Sequence, residues 1–500
     1  MSQLKQGALL TYLKIGVTNI VGLILTPYII KTLGDSEYGL YVLVGSIIAY
    51  LGLMNLGINN ATVRYVAKYK ALDDKESEKI FLSTTMWLYL MISGLIIIIG
   101  WAIYLNLEDI FSKSLSPDEI EKVKTMFVIL VFNMSIALPG GTYFAICGAY
   151  ERFVFPSTVM ISKYILRSLA VFLVLYLGGD ALSIVITDTI FSLAIIVVSF
   201  IYVRKILKIS ISLKFFNKKL IGNILSYSLW VFLFGIVYKF QWNAGQIVLG
   251  INNNTTLVAI FGVSVLLGGY YGAFAGAING VLVPRATQMV VKNSHGKELT
   301  QAMIKIGRMN TYILGIILSG FILFGQSFIT LWVGESYMEA YIISLLFMSV
   351  MTLPLIQAFG NSILEGMRKN RFKSLLSVIT VGVGVLTGFY LSPKYGLIGM
   401  AIPLVSAMFV NSIIMNFYYK KTFGFEIISF FKDTILYPLL IYAPLIYIFE
   451  LFINPFHLET WLGLILYAVI YSILFCALTY TLLMNNYEKG LIKKFISFKK

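Results

Sequence analysis

Charge is scarce in this sequence. Asp, Glu, Lys and Arg make up 12% of its 500 residues, against 58% hydrophobic, where a soluble domain carries about 25% charge. With a mean hydropathy of +0.85, the chain has too few polar groups to cover a water-facing surface, which excludes an ordinary soluble globular fold. Cysteine is reduced to Cys147 and Cys476, both inside apolar runs. Two such thiols exclude a disulfide framework and a thiolate metal centre. Histidine is reduced to His295 and His457, each isolated from any partner residue. No metal-ligand spacing and no His-based general acid or base is evident, so the reading assigns no metal, no cofactor and no catalytic residue. Period-two alternation over segments of about ten residues, the mark of a membrane barrel, is absent as well.

What the chain has is long apolar runs. Fourteen of them recur, at about 8–30, 39–61, 81–105, 124–148, 157–178, 181–203, 224–250, 256–283, 306–331, 341–364, 372–391, 396–418, 433–453 and 460–484. Each is long enough, as a helix, to cross a hydrocarbon layer of about 30 Å. The fold class is therefore an all-α polytopic membrane protein of about 14 transmembrane helices. The first run lacks a small-residue cleavage site and reads as a retained helix. With the N-terminus placed in the cytoplasm, thirty of the 39 Lys and Arg fall on inner segments, including Lys5, Arg64, Lys68, Lys70, Arg285, Arg368 and the tail from Lys489. Five (Lys31, Lys113, Lys122, Lys124 and Lys394) fall on outer loops and four inside spans. That asymmetry predicts both termini on the cytoplasmic side. It also assigns the net charge of +16 to topology and anionic lipid headgroups rather than to nucleic acid.

The chain repeats itself weakly. Leu33-Gly34 and the apolar helix after it are echoed from Leu249-Gly250, Gly57-Ile58-Asn59 leading to Arg64 by Ala277-Ile278-Asn279 leading to Arg285, and Leu138-Pro139 by Leu353-Pro354. Three echoes in one order indicate a duplicated chain, and six crossings per copy make the copies parallel, related by a pseudo-two-fold axis. The expected organisation is an N-lobe at 1–207, an amphipathic cytoplasmic linker at 208–222, a C-lobe at 223–425, and an extra helix pair with a basic tail at 426–500. Ile206, Ile209, Leu213, Phe216 and Leu220 recur at helical spacing, so the linker is read as lying on the inner membrane surface.

Ionisable groups inside spans are expensive in lipid, roughly 2.5–3.5 kcal/mol at mid-helix on the insertion scale, and usually face protein or water. They are Lys14, Lys163, Arg167, Asp188 and Lys239. Arg167 precedes the Leu177-Gly178-Gly179 turn by about as many residues as Asp188 follows it, so a helical hairpin places the two at one depth and predicts an ion pair. Polar residues join them at helical spacing. Thr11, Lys14 and Thr18 share one face of the first span, Asn55 and Asn59 one of the second, and Gln357, Asn361 and Glu365 one of the tenth, while Tyr227, Trp230, Trp242, Asn243 and Gln246 crowd the seventh. An isolated Asn or Thr is explained by interhelical hydrogen bonding. Several such faces beside unpaired cations point to a hydrated cavity suited to a phosphate or pyrophosphate, with aromatics and amides suited to sugars. The candidate binding residues are Lys14, Arg167, Lys239 and Lys163; Asp188 and Glu365 are candidates for ion pairing or coupling; and Asn55, Asn59, Trp242, Asn243, Gln357 and Asn361 complete the lumen.

Pro27, the LGDSEYGLY run from Leu33 to Tyr41, and Gly57 to Arg64 with the basic segment to Lys70 resemble the polysaccharide flippases of the Wzx type. These belong to the superfamily that also holds multidrug and toxic-compound exporters and lipid II flippases. The resemblance implies two six-helix lobes that open alternately to either side of a bacterial cytoplasmic membrane. It implies as cargo an undecaprenyl-pyrophosphate-linked oligosaccharide for O-antigen, capsule or exopolysaccharide assembly, and as partners the glycan polymerase and glycosyltransferases of the pathway. A monomer is expected, because two lobes already enclose a path. A cation-coupled exporter of small drugs is the alternative, although it would favour carboxylates in the cavity. A lipid-linked glycosyltransferase or polymerase fits less well, since the longest outer loop, about 106–123, holds carboxylates but no His.

Overall fold

The computed structural model describes residues 3–279, 282–292, 294, 296–367, 369–453 and 458–490. His295, Arg368, His457, the tail lysines beyond Lys489, and the side chains of Lys5, Tyr227, Trp230, Ile278, Asn279 and Arg285 lie outside what is described. The described residues form helices and turns, without a strand. The helices are α1 (Gln3–Leu33), α2 (Asp35–Leu51), α3 (Ile58–Ala71), α4 (Lys75–Phe111), α5 (Pro117–Ala149) and α6 (Val154–Tyr176), then α7 (Ala181–Lys205), α8 (Lys218–Asn252) and α9 (Thr255–Asn279). They continue with α10 (Leu282–Val291), α11 (Lys297–Val333), α12 (Glu339–Ile356), α13 (Ala358–Gly366), α14 (Arg371–Phe423), α15 (Ile427–Phe431), α16 (Tyr437–Ile453) and α17 (Trp461–Leu478).

Twelve helical stretches among the described residues are long and apolar enough to cross a membrane. One of them, α14, leaves helical geometry at Gly396 (φ 54°, ψ −130°), so its 53 residues make two passes. At 35 residues α8 has the length of a further one, and the fourteen runs all have a helix to occupy.

Local chemistry sets the helix ends. Ser116 and Glu119 form a reciprocal capping box at the start of α5, with Pro117 in its first turn, and Asp180 and Ser183 form another at the start of α7. Each satisfies amides that a helix otherwise leaves unpaired. Gly34 (φ 81°) and Gly178 (φ 87°) make the tight turns before α2 and α7 in the left-handed region that a side chain disfavours.

Two expectations are corrected. The linker is not a helix: α7 ends at Lys205 and α8 starts at Lys218. Between them the chain is a strap tied to α4. Ser83 Oγ donates to the Phe215 carbonyl (2.6 Å) and accepts from its N–H (3.1 Å), Trp87 Nε1 donates to the Leu213 carbonyl (2.9 Å), and Thr84 Oγ1 accepts from the Asn217 N–H (3.1 Å). These bonds satisfy backbone groups that a helix would have used. The second and tenth runs are also not continuous helices. After Leu51 the chain tightens through a 3₁₀ turn and passes Leu56 (φ 51°) and Gly57 (φ 66°) before α3 begins. The tenth run breaks at Gln357 (φ −96°, ψ 13°), three residues after Pro354, so Gln357, Asn361 and Glu365 do not share one uninterrupted helix.

The chain divides into two compact units, Met1–Gly262 with Val385–Met400, and Val263–Gly384 with Ala401–Lys500. In the first, α4 packs on α5, α5 on α7, and α1 on α6, where Tyr28 and Phe172 stack at 4.5 Å. In the second, α11 packs on α12 and α10 on α13, as α4 does on α5 and α3 on α5 in the first. A polar bond recurs with this packing. Ser93 on α4 donates to the Ser135 carbonyl on α5 (2.6 Å), and Asn310 on α11 donates to the Leu355 carbonyl on α12 (3.0 Å).

The last two passes, α16 and α17, lie on α11 through an aromatic cluster that includes Tyr312, Phe324, Tyr442, Phe449, Tyr471 and Phe475. Tyr442 and Phe475 stack at 4.2 Å. Lipid is as apolar as these rings, so their gain comes from close packing and ring geometry rather than from excluded water. Beyond α17, Glu488 accepts from Arg308 Nε (2.8 Å) and Nη2 (3.0 Å) and from Tyr312 Oη (3.2 Å). Burial pushes the Glu488 carboxyl up, but the hydrogen bonds from Arg308 and the Asn485 N–H outweigh it and leave it below its ordinary 4.5. A carboxyl lowered in the folded state stabilises above its unfolded value, and that contribution is lost as pH falls through the folded one. Glu488→Gln is expected to cost roughly 3 kcal/mol at neutral pH, because it removes the carboxylate that pairs directly with Arg308. The difference from the wild type should narrow as pH falls from the ordinary glutamate range toward the lowered folded value and close below it. Thermal unfolding of both proteins in detergent across that range checks it.

Candidate functional site in the first unit

The site is built on the α6–α7 hairpin. Gly178 and Gly179 close the turn, with the Gly179 N–H donating to the Val174 carbonyl (2.9 Å) and Asp180 capping α7. Two antiparallel helices leaving a tight turn keep residues at equal distance from it side by side. Arg167 and Asp188 meet in this way: Nε donates to Oδ1 (2.5 Å) and Nη2 to Oδ2 (3.0 Å), a two-pronged pair that matches the guanidinium fork. One turn further from the loop on each helix, Lys163 Nζ donates to Ser192 Oγ (3.2 Å). Tyr41 Oη lies 3.4 Å from both Arg167 Nη2 and Asp188 Oδ2. Asn133 of α5 reaches Thr189 Oγ1 at 3.3 Å. At this level the hairpin thus holds two cations, Lys163 and Arg167, and one carboxylate, Asp188, all half-buried, with a surplus of one positive charge.

Closer to the turn, the acidic part of the LGDSEYGLY run meets the ends of α5 and α7. Glu37 Oε1 accepts from Lys122 Nζ (2.6 Å) and from the Ala181 N–H (3.3 Å). Lys122 also pairs with Asp180 Oδ2 (3.3 Å). Burial raises the Asp180 carboxyl, but hydrogen bonds from Ser183, together with Lys122, bring it below its usual value. Ser36 Oγ donates to Glu119 Oε1 (2.6 Å) and lies 2.9 Å from Thr255 Oγ1, which itself reaches Glu119 at 3.3 Å. Gly39 faces the Thr255 backbone so closely that a Cβ there would stand 1.9 Å from its carbonyl oxygen. Ser114 Oγ donates to the Gly250 carbonyl beside this seam, and Asn252 and Asn253 donate to residues 389 and 392.

The remaining sequence candidates are distributed. Asn55 and Asn59 sit at the α2–α3 break, where the fully buried Tyr89 hydroxyl reaches Asn59 Oδ1 (2.7 Å) and Asn55 Oδ1 (3.3 Å). Lys14 on α1 and Lys239 on α8 are half-buried, and among the described residues neither has a carboxylate within ion-pair distance. Asn243 donates weakly to the Lys239 carbonyl at 3.4 Å, and Trp242 is buried. In the second unit Gln357 donates to Asn416 Oδ1 (2.6 Å), Asn361 accepts from Tyr419 (2.9 Å), and Glu365 is exposed at the end of α13. Spacing along the chain misses Tyr41, Ser36, Glu37, Glu119 and Lys122. The signal available for them is the acidic run directly after a turn glycine and the Ser-Pro-Asp-Glu start of α5, which announces a capping box and so a helix end.

A profile of the family "Polysaccharide biosynthesis protein" matches residues 4–290. The chain is 26% identical over 181 residues to the capsular polysaccharide biosynthesis protein CapF of Staphylococcus aureus, a stretch covering 36% of this chain and 43% of that protein's length. Among solved structures it is similar to the lipid II flippase MurJ in an inward closed conformation, at TM-score 0.70 and 14% identity over 95% of this chain and 98% of that one. It is also similar to an inward-facing multidrug resistance MATE transporter of the MOP superfamily, at TM-score 0.64 and 14% identity over 81% and 94%. The eukaryotic MATE transporter AtDTX14 follows, at TM-score 0.59 and 13% identity over 84% and 97%. These structures share the fold, a multi-pass bundle of membrane helices. The profile covers more than half of the chain, through the motif, the α6–α7 hairpin and α8, and on that ground the chain belongs to the polysaccharide biosynthesis protein family.

Proposed function

We propose that this protein is a flippase that moves undecaprenyl-pyrophosphate-linked oligosaccharide units from the inner to the outer leaflet of a bacterial cytoplasmic membrane. The observation that carries the reading is the surplus positive charge of the Arg167–Asp188–Lys163 hairpin at membrane depth. A group so costly in lipid is retained where it meets an anion, and a pyrophosphate headgroup is one. Family membership and the transporter fold support a carrier rather than an enzyme. In this reading Lys163 and Arg167, with Lys14 and Lys239, attract the pyrophosphate, while Asn55, Asn59, Trp242, Asn243, Gln357 and Asn361 contact the glycan. The lipid tail stays in the bilayer, and two six-helix lobes, 1–207 and 223–425, rock to carry the headgroup across. Asp188 or Glu365 couples the cycle to a cation or proton. The ends rich in Lys and Arg face the cytoplasm, and the protein works as a monomer alongside the polymerase and glycosyltransferases of its pathway.

Deleting the gene tests the reading: lipid-linked oligosaccharide should accumulate on the inner leaflet and surface polysaccharide should disappear. Oligosaccharide that still reaches the outer leaflet at a normal rate refutes it. The MATE likeness favours one other reading, a cation-coupled exporter of small molecules. That reading predicts drug resistance in a sensitive host expressing the protein, with surface glycan unchanged in the deletion.

A further inference from the structure

The two ends of α14 stand side by side in the second unit. Phe372 in its first turn stacks on Tyr418 near its end, with ring centroids 4.3 Å apart and planes at 24°, and the Tyr418 hydroxyl donates to the Lys369 carbonyl at 3.2 Å. Beside this stack opens a cavity of about 720 Å³ lined by Lys369, Arg371, Phe372, Phe417, Tyr418 and Lys421 together with smaller residues. Three of these residues are cations and none is a carboxylate. Phe417 is 63% exposed and Phe372 40% exposed. Rings this open at the end of a membrane-crossing helix face acyl chains, whereas the ammonium and guanidinium groups beside them reach the headgroup layer.

We infer that this cavity is a binding site for an anionic phospholipid, distinct from the α6–α7 hairpin and independent of what the protein transports. Lys369, Arg371 and Lys421 hold the phosphodiester, and Phe372 and Phe417 take the first segment of an acyl chain. The absence of a carboxylate from the lining selects against a zwitterionic headgroup, whose ammonium would find no counter-charge. The apolar half of the wall selects against free phosphate, which has nothing to place there. Basic pockets between membrane helices at the cation-rich face have the composition that recognises acidic lipid headgroups.

The test is lipid retention by the full-length protein in detergent, read by native mass spectrometry with phosphatidylglycerol, phosphatidylcholine and inorganic phosphate as separate probes. The wild type should keep one phosphatidylglycerol about 100-fold more tightly than the variant K369Q/R371Q/K421Q. Millimolar phosphate should not displace that lipid, and phosphatidylcholine should not be retained. The variant K68Q/K70Q, which removes two cations elsewhere, should behave as the wild type. If the triple variant does not fold, Arg371→Gln alone should weaken retention about fivefold. Equal retention by wild type and variant overturns the inference. So does displacement by phosphate, which would mark a free-anion site, or equal loss in K68Q/K70Q, which would mark diffuse attraction. Preferential retention of a polyprenyl diphosphate would likewise refute it, by making the cavity part of the cargo path. None of these readouts involves glycan export, so the result stands apart from the proposed function.

Discussion

Arg167→Ala is expected to lose surface polysaccharide while the protein still inserts, and to lower its stability in detergent by roughly 3 kcal/mol. The loss arises because Asp188 is left at membrane depth without the counter-charge and both guanidinium bonds, at 2.5 and 3.0 Å, that Arg167 supplies. Asp188→Asn strands Arg167 and should cost about as much. The variant R167A/D188N removes both charges and should recover most of the stability, so the cycle should show a coupling of roughly 3 kcal/mol rather than additive losses. The double variant also separates the two roles of the pair. A mere staple predicts that export returns with stability, whereas a pyrophosphate site predicts that export stays absent. Arg167→Lys keeps the charge without the planar fork and should rescue in part. Additive losses would refute direct pairing, and normal surface glycan in both Arg167→Ala and Lys239→Ala would remove the proposed site.

Among the described glycines, Gly39→Ala should be the most damaging alanine substitution. Its new carbon would lie 1.9 Å from the Thr255 carbonyl oxygen and 2.6 Å from its carbonyl carbon, a backbone that cannot rotate aside as a side chain can. Either α2 or the start of α9 must move, and the bonds joining Ser36, Glu119 and Thr255 must lengthen together. The measurement is a disulfide between Ser36→Cys and Thr255→Cys, whose oxygens now lie 2.9 Å apart. It is made without Cys476, since Cys147 is buried. Cross-linking should be nearly complete in the parent and fall at least about tenfold with Gly39→Ala, with export reduced alongside. Unchanged cross-linking would mean that the seam does not depend on the missing side chain. Gly45, with nothing within 4 Å of its would-be Cβ, is the control, where alanine should be neutral or slightly favourable.

Much of the fold is legible in the amino-acid sequence wherever the physics is local or one-dimensional. Apolar length is a property of a stretch of chain, and the fourteen runs fall on helical stretches, the second and tenth of them interrupted at Leu56-Gly57 and at Gln357. The meeting of Arg167 and Asp188 is legible for a related reason. A glycine turn joins their helices, and equal spacing from a tight turn determines which residues stand at one depth. The linker misleads because Ile206, Ile209 and Leu213 satisfy helical spacing by accident, while Ser83, Thr84 and Trp87, more than a hundred residues away along the chain, take its backbone bonds. The break at Gln357 escapes a reading of apolar length because a proline in a membrane helix can kink the chain or end it, and neighbouring side chains decide which.

By itself, then, the sequence determined the solvent this protein lives in, the number of times the chain can cross it, and which charges it keeps there at a cost. Only the tertiary structure decided what holds those charges. Tyr41 joins the Arg167–Asp188 pair, Glu37 joins Lys122 to the start of α7, and Ser36 and Glu119 meet Thr255. The reason is that a membrane helix can pack almost any apolar face against lipid or a neighbour at similar cost. Contacts between distant segments are therefore settled by a few polar groups and missing side chains whose partners no spacing along the chain reveals.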